Sequence, residues 1–377
     1  MDHTPAARPN PEELTAAMAL CLAAGIGPRL QAALLERFGT AGCILKQPVS
    51  ELLTVSGIGP RAASQLTADD LCLRAEQMVQ RCRESSITLL RKGQPEYPSG
   101  LQSVEDSPAM LFVRGKLKPQ DELTVAVVGS RRCTAYGRRQ AERLGASLSR
   151  AGFTVVSGLA RGIDGAAHAG ALAAGGRTVA VLGTGLNEIY PPEHAELAME
   201  IADNGALVSE FPLDQKPRSG LFPQRNRIIS GLSLAVVIVE ATRNSGALHT
   251  ARHAAEQGRT VFAVPGPVDS IASEGCHELL RDGAVLLRNV DDLLKDLGPL
   301  AAPTVTAESD LIHNPRELSL NVQEKEVLNL ITSSPVHIDA ILQTTQLDMS
   351  RVLSTLTVLE MKRFVRRLPG NRLVRNS

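Results

Sequence analysis

Apolar side chains recur at three- and four-residue intervals from Pro11 to about Gly93, in short stretches broken by Gly-Pro turns and almost free of β-branched runs. Residues so spaced share one face of a helix, so this region is expected to be all-α. From Leu123 to about Leu297 short β-branched runs alternate with helical stretches, the pattern of a parallel sheet wrapped by helices. Strands are expected at 124–128, 154–156, 178–182, 206–209, 235–239, 260–264 and 284–287. The stretch from Gly298 has no period and reads as a linker. Helical spacing returns at Leu318, with helices expected at 323–331, 337–343 and 350–362 and a basic strand-turn-strand at 364–375. The expected domains are therefore 11–93, 94–297 and 318–377, with a linker over 298–317.

Composition narrows the partners. The 377 residues are 43% hydrophobic and 21% charged, which suits a chain with a sizeable core. Lys+Arg 40 balances Asp+Glu 40, so an acidic partner has to be met by a local basic patch and not by the overall field. No apolar run approaches the roughly twenty residues of a membrane helix. Met1-Asp2-His3-Thr4 lacks the basic and apolar regions of a signal peptide, so a cytoplasmic location and no membrane partner are expected. The six cysteines form no CxxC pair or Cys/His cluster, so they are read as reduced and no metal is expected. With no Trp and 3% aromatics, the chain lacks the rows of rings on which OB-folds and RRM sheets stack bases. Any nucleic acid is then held mainly by its phosphates.

Ala24-Gly25-Ile26-Gly27-Pro28-Arg29 recurs as Ser56-Gly57-Ile58-Gly59-Pro60-Arg61. Apolar-Gly-apolar-Gly between helices is the turn of a helix-hairpin-helix, whose backbone N–H groups approach phosphate; it is equally a tight turn with Pro at the first helical position. In the central region nearly every strand runs into a loop of small residues, and an open α/β sheet binds ligands beyond the carboxyl ends of its strands. The first such loop lacks G-x-G-x-x-G, the second strand ends without an acidic residue, and no Gly-Lys-Ser/Thr follows a glycine loop. NAD, FAD and P-loop chemistry are accordingly disfavoured, and no cofactor is expected.

Those loops do carry hydroxyls and guanidinium groups: Gly129-Ser130-Arg131-Arg132, then Ser157-Gly158 with Arg161-Gly162, then Arg225-Asn226-Arg227, then Ser245-Gly246. Arginine grips phosphate bidentately, and a helix N-terminus behind it adds to the attraction. The alternative is that these arginines pair with Asp164, Glu210 or Glu240 and support the fold. Asp164 and His168, four residues apart on one expected helix, complete no metal triad and are assigned a structural role. No nucleophile elbow or Cys/His constellation is present, so no catalytic residue is assigned.

Val128-Gly129-Ser130-Arg131, the run from Ser157 to Asp164, Ala180 to Gly185, Ile189-Tyr190-Pro191, Phe222 to Gly231, Ser245-Gly246 and Val264-Pro265-Gly266 together closely resemble the DNA-processing protein A (DprA, also called Smf) family, between about Tyr97 and Leu294. The resemblance implies a Rossmann-like, doubly wound, mostly parallel sheet between a helix-hairpin-helix-like module and a winged-helix-like module. It also implies a non-enzymatic binder of single-stranded DNA, acting as a homodimer through the Rossmann-like domain and helping to load RecA recombinase in natural transformation. By the same likeness Gly129, Ser130 and Arg131 hold backbone phosphate, with Ser157, Gly158, Arg161 and Arg225-Asn226-Arg227 lining the same pocket. One departure stands out: many members carry a basic residue after Tyr-Pro, whereas Pro192 and Glu193 follow here. Lys216 and Arg218 are the candidates to compensate. The C-terminal basic stretch, Arg351, Lys362, Arg363, Arg366, Arg367, Arg372 and Arg375 against Glu360, fits auxiliary DNA contact or a partner surface equally. The rival reading is a nucleotide phosphoribohydrolase of the lysine-decarboxylase-like group, whose catalytic Glu has no counterpart in the Thr242 to Thr250 loop.

Overall fold

A computed structural model describes residues 11–298, 300, 303–306 and 310–376; the N-terminal tetrapeptide considered above lies outside them. The chain divides into two compact units, residues 1–290 and 291–377.

The first unit opens with helices α1 (Pro11–Leu22), α2 (Pro28–Phe38), α3 (Ala41–Leu45), α4 (Val49–Leu52), α5 (Pro60–Leu66) and α6 (Leu71–Glu84). α2 and α5 each begin on the proline of the repeated motif, where a missing N–H costs nothing. The two turns lie against each other through equivalent positions, Gly25 beside Ala62 and Gly57 beside Leu30. Ile26 and Ile58 are buried, and the Gln31 amide donates to the carbonyls of Leu20 and Ile26, closing the first turn.

There follow β1 (Thr88–Arg91), α7 (Ser99–Gln102), β2 (Met110–Gly115), β3 (Thr124–Gly129), α8 (Ala135–Arg150), β4 (Thr154–Ser157), α9 (Ile163–Ala173), β5 (Thr178–Val181), α10 (Ala195–Asn204), β6 (Ala206–Ser209), α11 (Leu221–Leu232), β7 (Ala235–Val239), α12 (Ala247–Glu256), β8 (Thr260–Ala263), α13 (Glu274–Arg281) and β9 (Val285–Leu286). They build one nine-stranded sheet in the order β1-β2-β6-β5-β4-β3-β7-β8-β9. β2 runs antiparallel to β1 and β6, and the other pairings are parallel. Every strand expected from a β-branched run is present to within a residue at either end. The sequence pattern does not flag β1 and β2, and β1 corrects the all-helical expectation up to Gly93. Thr88-Leu89-Leu90-Arg91 holds a single β-branched residue, and an edge strand has little else to announce it.

The sheet separates two cores. On one face α1 to α6 and α10 pack over Phe112, Ala180, Leu182 and Leu207. On the other, α11, α12 and α13 cover Val113, Val128, Val156, Val236 and Ile238. The first core is continuous across residue 93, so the N-terminal helices belong to the same packed body as the sheet. From β3 the connections step outward through β4 and β5 to β6, then return to β7 on the other side of β3. The strand order reverses between β3 and β7, which places a ligand crevice at their carboxyl ends.

The second unit contains α14 (Val290–Asp296) from Asp291 onward, a short pair β10 (Thr304–Val305) and β11 (Leu311–Ile312), and a 3₁₀ turn at Pro315–Ser319. The stretch expected as a linker thus carries local structure among its described residues. α15 (Val322–Asn329), β12 (Val336–His337), α16 (Ile338–Thr344), α17 (Met349–Met361), β13 (Val365–Leu368) and β14 (Arg372–Arg375) complete it around Val327, Leu328, Ile341, Val352, Leu356 and Leu373. The β13–β14 hairpin is the expected wing, and β12 pairs with β14 to make a three-stranded sheet ordered β12-β14-β13. Among the described residues no helix is long and apolar enough to cross a membrane.

His168 is fully buried on α9, its Nδ1 2.6 Å from Thr178 Oγ1. The Thr178 hydroxyl donates its hydrogen to Val155 O, so the ring donates from Nδ1 and is held as the neutral tautomer. Burial chiefly, with His194 and Arg225 adding to it, lowers its pKa from 6.5 to about 3. The unfolded chain binds this proton at higher pH than the native one, so the contribution is complete above pH 6.5 and is lost as pH falls toward 3. Equilibrium unfolding between about pH 7 and 4.5 is expected to show a loss of up to about 1.4 kcal/mol per pH unit. His168→Gln should flatten that slope; an equally steep slope in the variant would assign it to other groups.

Candidate nucleic-acid interface

β3 ends at Gly129, opposite Val239 of β7. A Cβ at Gly129 would run into the Val239 carbonyl and come 2.7 Å from Ile163 Cγ1, so only glycine lets the two strand ends approach this closely. The loop after it is clamped twice by Glu240, a buried residue held at φ +54. The Ser130 N–H donates to the Glu240 carbonyl at 2.8 Å, and the Glu240 carboxylate accepts from the N–H of Thr134 at 2.8 Å and from its hydroxyl. Thr134 in turn caps α8 by accepting from the Gly137 N–H. Between these fixed points Arg131 and Arg132 stand exposed. Among the described residues neither has a carboxylate partner.

The loop borders an open cavity of about 490 Å³ at the β3/β7 reversal, lined by Gly129, Ser130, Arg131 and Arg132. Arg225 and Asn226 form another wall, and Ser245 and Gly246, at the start of α12, a third. The Asn226 amide donates to Gly246 O at 3.3 Å, joining α11 to that start. Eight of the thirteen residues expected at the site are thereby brought together.

The other five are placed differently. The buried Ser157 hydroxyl donates to Val127 O at 2.6 Å and points into the sheet. Gly158 contributes only its peptide groups: its N–H donates to Asp164 at 3.0 Å and its carbonyl accepts from Arg225 at 2.7 Å. Gly162, at φ +77, backs onto the carbonyls of Ser130 and Arg131, and a side chain there would collide with them. Arg161 is exposed outside the cavity lining and paired with Glu193. Arg227 corrects the sequence expectation most clearly. It is buried, 2.6 Å from Glu210 and 3.5 Å from Asp106. The sequence groups Arg225 and Arg227 as one basic cluster, but both lie on α11, where residues two apart point about 200° from each other.

Arg225 is also buried, yet it serves the site from below. Its Nη1 donates to the carbonyls of Gly158 and Val181, and Asp164 supplies the opposite charge. Burial pulls Arg225 from 12.5 down to about 10, against the attraction of Asp164, so it stays protonated at neutral pH. Burial likewise pushes the Asp164 carboxyl up, opposed by Arg225 and by N–H donors of the β4 loop.

The sequence reading missed the aromatic component. Arg131 lies over the Phe222 ring, 5.2 Å from its centroid, and that ring lies 5.5 Å from Tyr190. An aromatic content of 3% is too low for rows of rings, but it does not prevent two rings from meeting where they count. The available signal was their setting, each immediately before a proline in a segment leading from a strand end. Lys216 and Arg218 are exposed ahead of α11 and outside the cavity lining. In the second unit, Glu324 and Glu317 take Lys362 and Arg375 at 2.8 and 2.5 Å, while Asp348 and Glu360 pair Arg351 and Arg367. Of the seven cations counted along the C-terminal stretch, Arg363, Arg366 and Arg372 are the ones without a carboxylate partner among the described residues.

These environments separate structural from surface arginines. Arg225→Ala leaves Asp164 buried without its counter-charge and is expected to destabilise the fold by about 3 to 5 kcal/mol. Arg131→Ala is expected to stay within about 0.5 kcal/mol of the parent. Urea unfolding of the two variants measures the difference, and equal losses would refute it.

Comparison with known proteins gives a consistent result. The model of the DNA recombination-mediator protein A family matches residues 88–298, and that of the DprA winged helix domain matches residues 313–371. Protein Smf of Escherichia coli is 41% identical over 275 residues, covering 73% of this chain and 74% of that protein. Protein Smf of Synechocystis is 33% identical over 383 residues, 93% and 96% of the two chains. The solved structure of DNA processing protein A from Streptococcus pneumoniae aligns with TM-score 0.67 at 32% identity, over 75% of this chain and 98% of that one. The Helicobacter pylori protein, whose structure was described for its single-stranded DNA binding mode, aligns with TM-score 0.51 at 32% identity over 56% and 97%. With its reversed α/β sheet, its winged helix and these relatives, the chain belongs to the DNA processing protein A (DprA/Smf) family.

Proposed function

We propose that this protein binds single-stranded DNA at the β3/β7 crevice, with Arg131 and Arg132 on backbone phosphates and Ser130, Asn226, Ser245 and Gly246 around them. The observation that carries the reading is the pair of exposed arginines without carboxylate partners, held on a loop clamped at both ends above an open cavity. A fixed loop presents its charges without an ordering cost at the moment of binding. The single-stranded DNA binding described for the Helicobacter pylori relative supports the same ligand. Arg161 extends the track, whereas Ser157, Gly158, Gly162 and Arg225 hold its geometry.

The protein acts as a binder and not as an enzyme. Asp164 is the one carboxylate among the described cavity-lining residues, and it is committed to Gly158 and Arg225. Glycosidic hydrolysis of the phosphoribohydrolase kind requires carboxylates free to exchange protons with substrate. Two copies associate through the central sheet domain, where Val268 and Ile271 leave apolar side chains 89% and 70% exposed. Bound strands are passed to RecA recombinase in transformation, the role implied by the family resemblance. An added RecA whose DNA-dependent ATPase starts no faster on strands carrying this protein would remove that step.

Titration with a labelled oligothymidylate tests the binding itself. Affinity is expected to fall with salt at a log-log slope of roughly 0.7 per phosphate contacted. Arg131→Ala should weaken it by about 1.5 to 3 kcal/mol with an unchanged melting temperature. Binding indifferent to both salt and Arg131 would overturn the reading. Because the N-terminal helices share a core with the sheet, the truncation to use is residues 1–297. It is expected to keep most of the affinity and to sediment as a dimer.

A further inference from the structure

The aromatic surface continues past the cavity. Phe222, beneath Arg131, lies 5.5 Å from the Tyr190 ring, and Tyr190 lies 5.8 Å beneath the guanidinium of Arg161. The loops after β3 and β4 thus each deliver one arginine to one ring. They differ in the counter-ion. Arg131 has no carboxylate partner among the described residues, whereas Arg161 is held by both oxygens of Glu193, with Nη2 3.0 Å from Oε2. The two side chains are 47% and 49% exposed, so a competing anion in solution can reach the pair. A carboxylate gripped through Nε and Nη2 offers the guanidinium the same two-oxygen fork as a phosphate.

We infer that Arg161 and Tyr190 form a second nucleotide subsite beside Arg131 and Phe222, and that Glu193 fills its phosphate position until single-stranded DNA displaces it. The inference rests on the single-strand reading of the crevice. The two rings are inclined at 45° and lie farther apart than the roughly 3.4 Å between stacked bases, so successive bases are splayed, one to each ring. At the first subsite a phosphate gains a free arginine. At the second it only replaces a carboxylate, and the released Glu193 takes up a cation as the phosphate gives one up. The second contact therefore orders the strand while adding little affinity, which suits a protein that must later release it.

The test compares the full-length protein with Glu193→Gln, titrated with labelled oligothymidylate across a salt series. The variant is expected to bind about two- to fivefold tighter at low salt, with a log-log slope steeper by about 0.7. Both gains should vanish when Arg161→Ala is added. The chain has no Trp and three Tyr, of which Tyr97 is buried and Tyr136 is bonded to Pro265 O. Tyrosine emission should therefore be quenched by bound oligothymidylate in the parent protein and not in Tyr190→Leu. Unchanged affinity and slope in Glu193→Gln, in a protein whose binding Arg131→Ala does weaken, would overturn the masking and leave the single-strand reading standing. Quenching that persists in Tyr190→Leu would overturn the subsite. Binding insensitive to Arg131→Ala would remove the reading on which both rest.

Discussion

The guanidinium of Arg225 is the contact on which the candidate site depends. Two strands of the sheet, β4 and β5, end in carbonyls that α11 would otherwise bury without donors, and Arg225 satisfies both Gly158 O and Val181 O. A buried cation needs a compensating charge, and Asp164 provides it from the first turn of α9. Asp164 in turn takes the Gly158 N–H and fixes the β4 loop. Because Gly162 of that loop backs onto the carbonyls of Ser130 and Arg131, the β3 loop inherits its position from the same arginine. Glu240 fastens the far end, so Arg131 and Arg132 extend from a backbone with little freedom to recoil.

A chain with no net charge can still present a basic site because its charges are sorted by depth. The buried or nearly buried pairs, Arg227 with Glu210 and Arg177 with Asp121, cancel within the fold. At the base of the crevice Arg225 and Asp164 offset each other's burial at longer range. The second unit repeats the sorting, with Lys362 and Arg375 turned onto Glu324 and Glu317. At the rim of the crevice Arg131 and Arg132 remain exposed without carboxylate partners among the described residues, so the basic character there is local. Desolvation makes buried pairs mutually dependent, whereas exposed ones are weakened by salt and open to exchange. Arg131 and the Arg161–Glu193 pair stand on the exposed side of that divide.

The N-terminal helices take part in this arrangement through packing. The first repeated turn bounds a small cavity of about 120 Å³ with Pro108, Met110, Glu210 and Phe211, beside the buried carboxylate that neutralises Arg227. The helical segment is thus coupled to the carboxyl edge of the sheet, and the fold treats it as one body with the central domain.

The seven strands of the parallel region, the proline-led helices of the repeat and the glycine loops were legible in the sequence because each follows from local rules. A β-branched run favours a strand, proline favours a first helical turn, and glycine marks a close approach. The membership of Gly129 to Arg132 in the crevice followed equally, since loops at the carboxyl ends of parallel strands must meet. Side-chain direction was not legible. Arg225, Asn226 and Arg227 are consecutive in sequence, but the helix turns one guanidinium under the crevice and the other onto Glu210. Glu193 is 32 residues from Arg161, and Tyr190 lies in a loop whereas Phe222 lies in the first turn of α11, so nothing local announces their contact. The sequence determined which segments form the strands and loops of the parallel region, because backbone preference and hydrophobic period act over a few residues. Only the tertiary structure decided which arginines are neutralised and which face solvent, because that depends on carboxylates and rings brought together from distant parts of the chain.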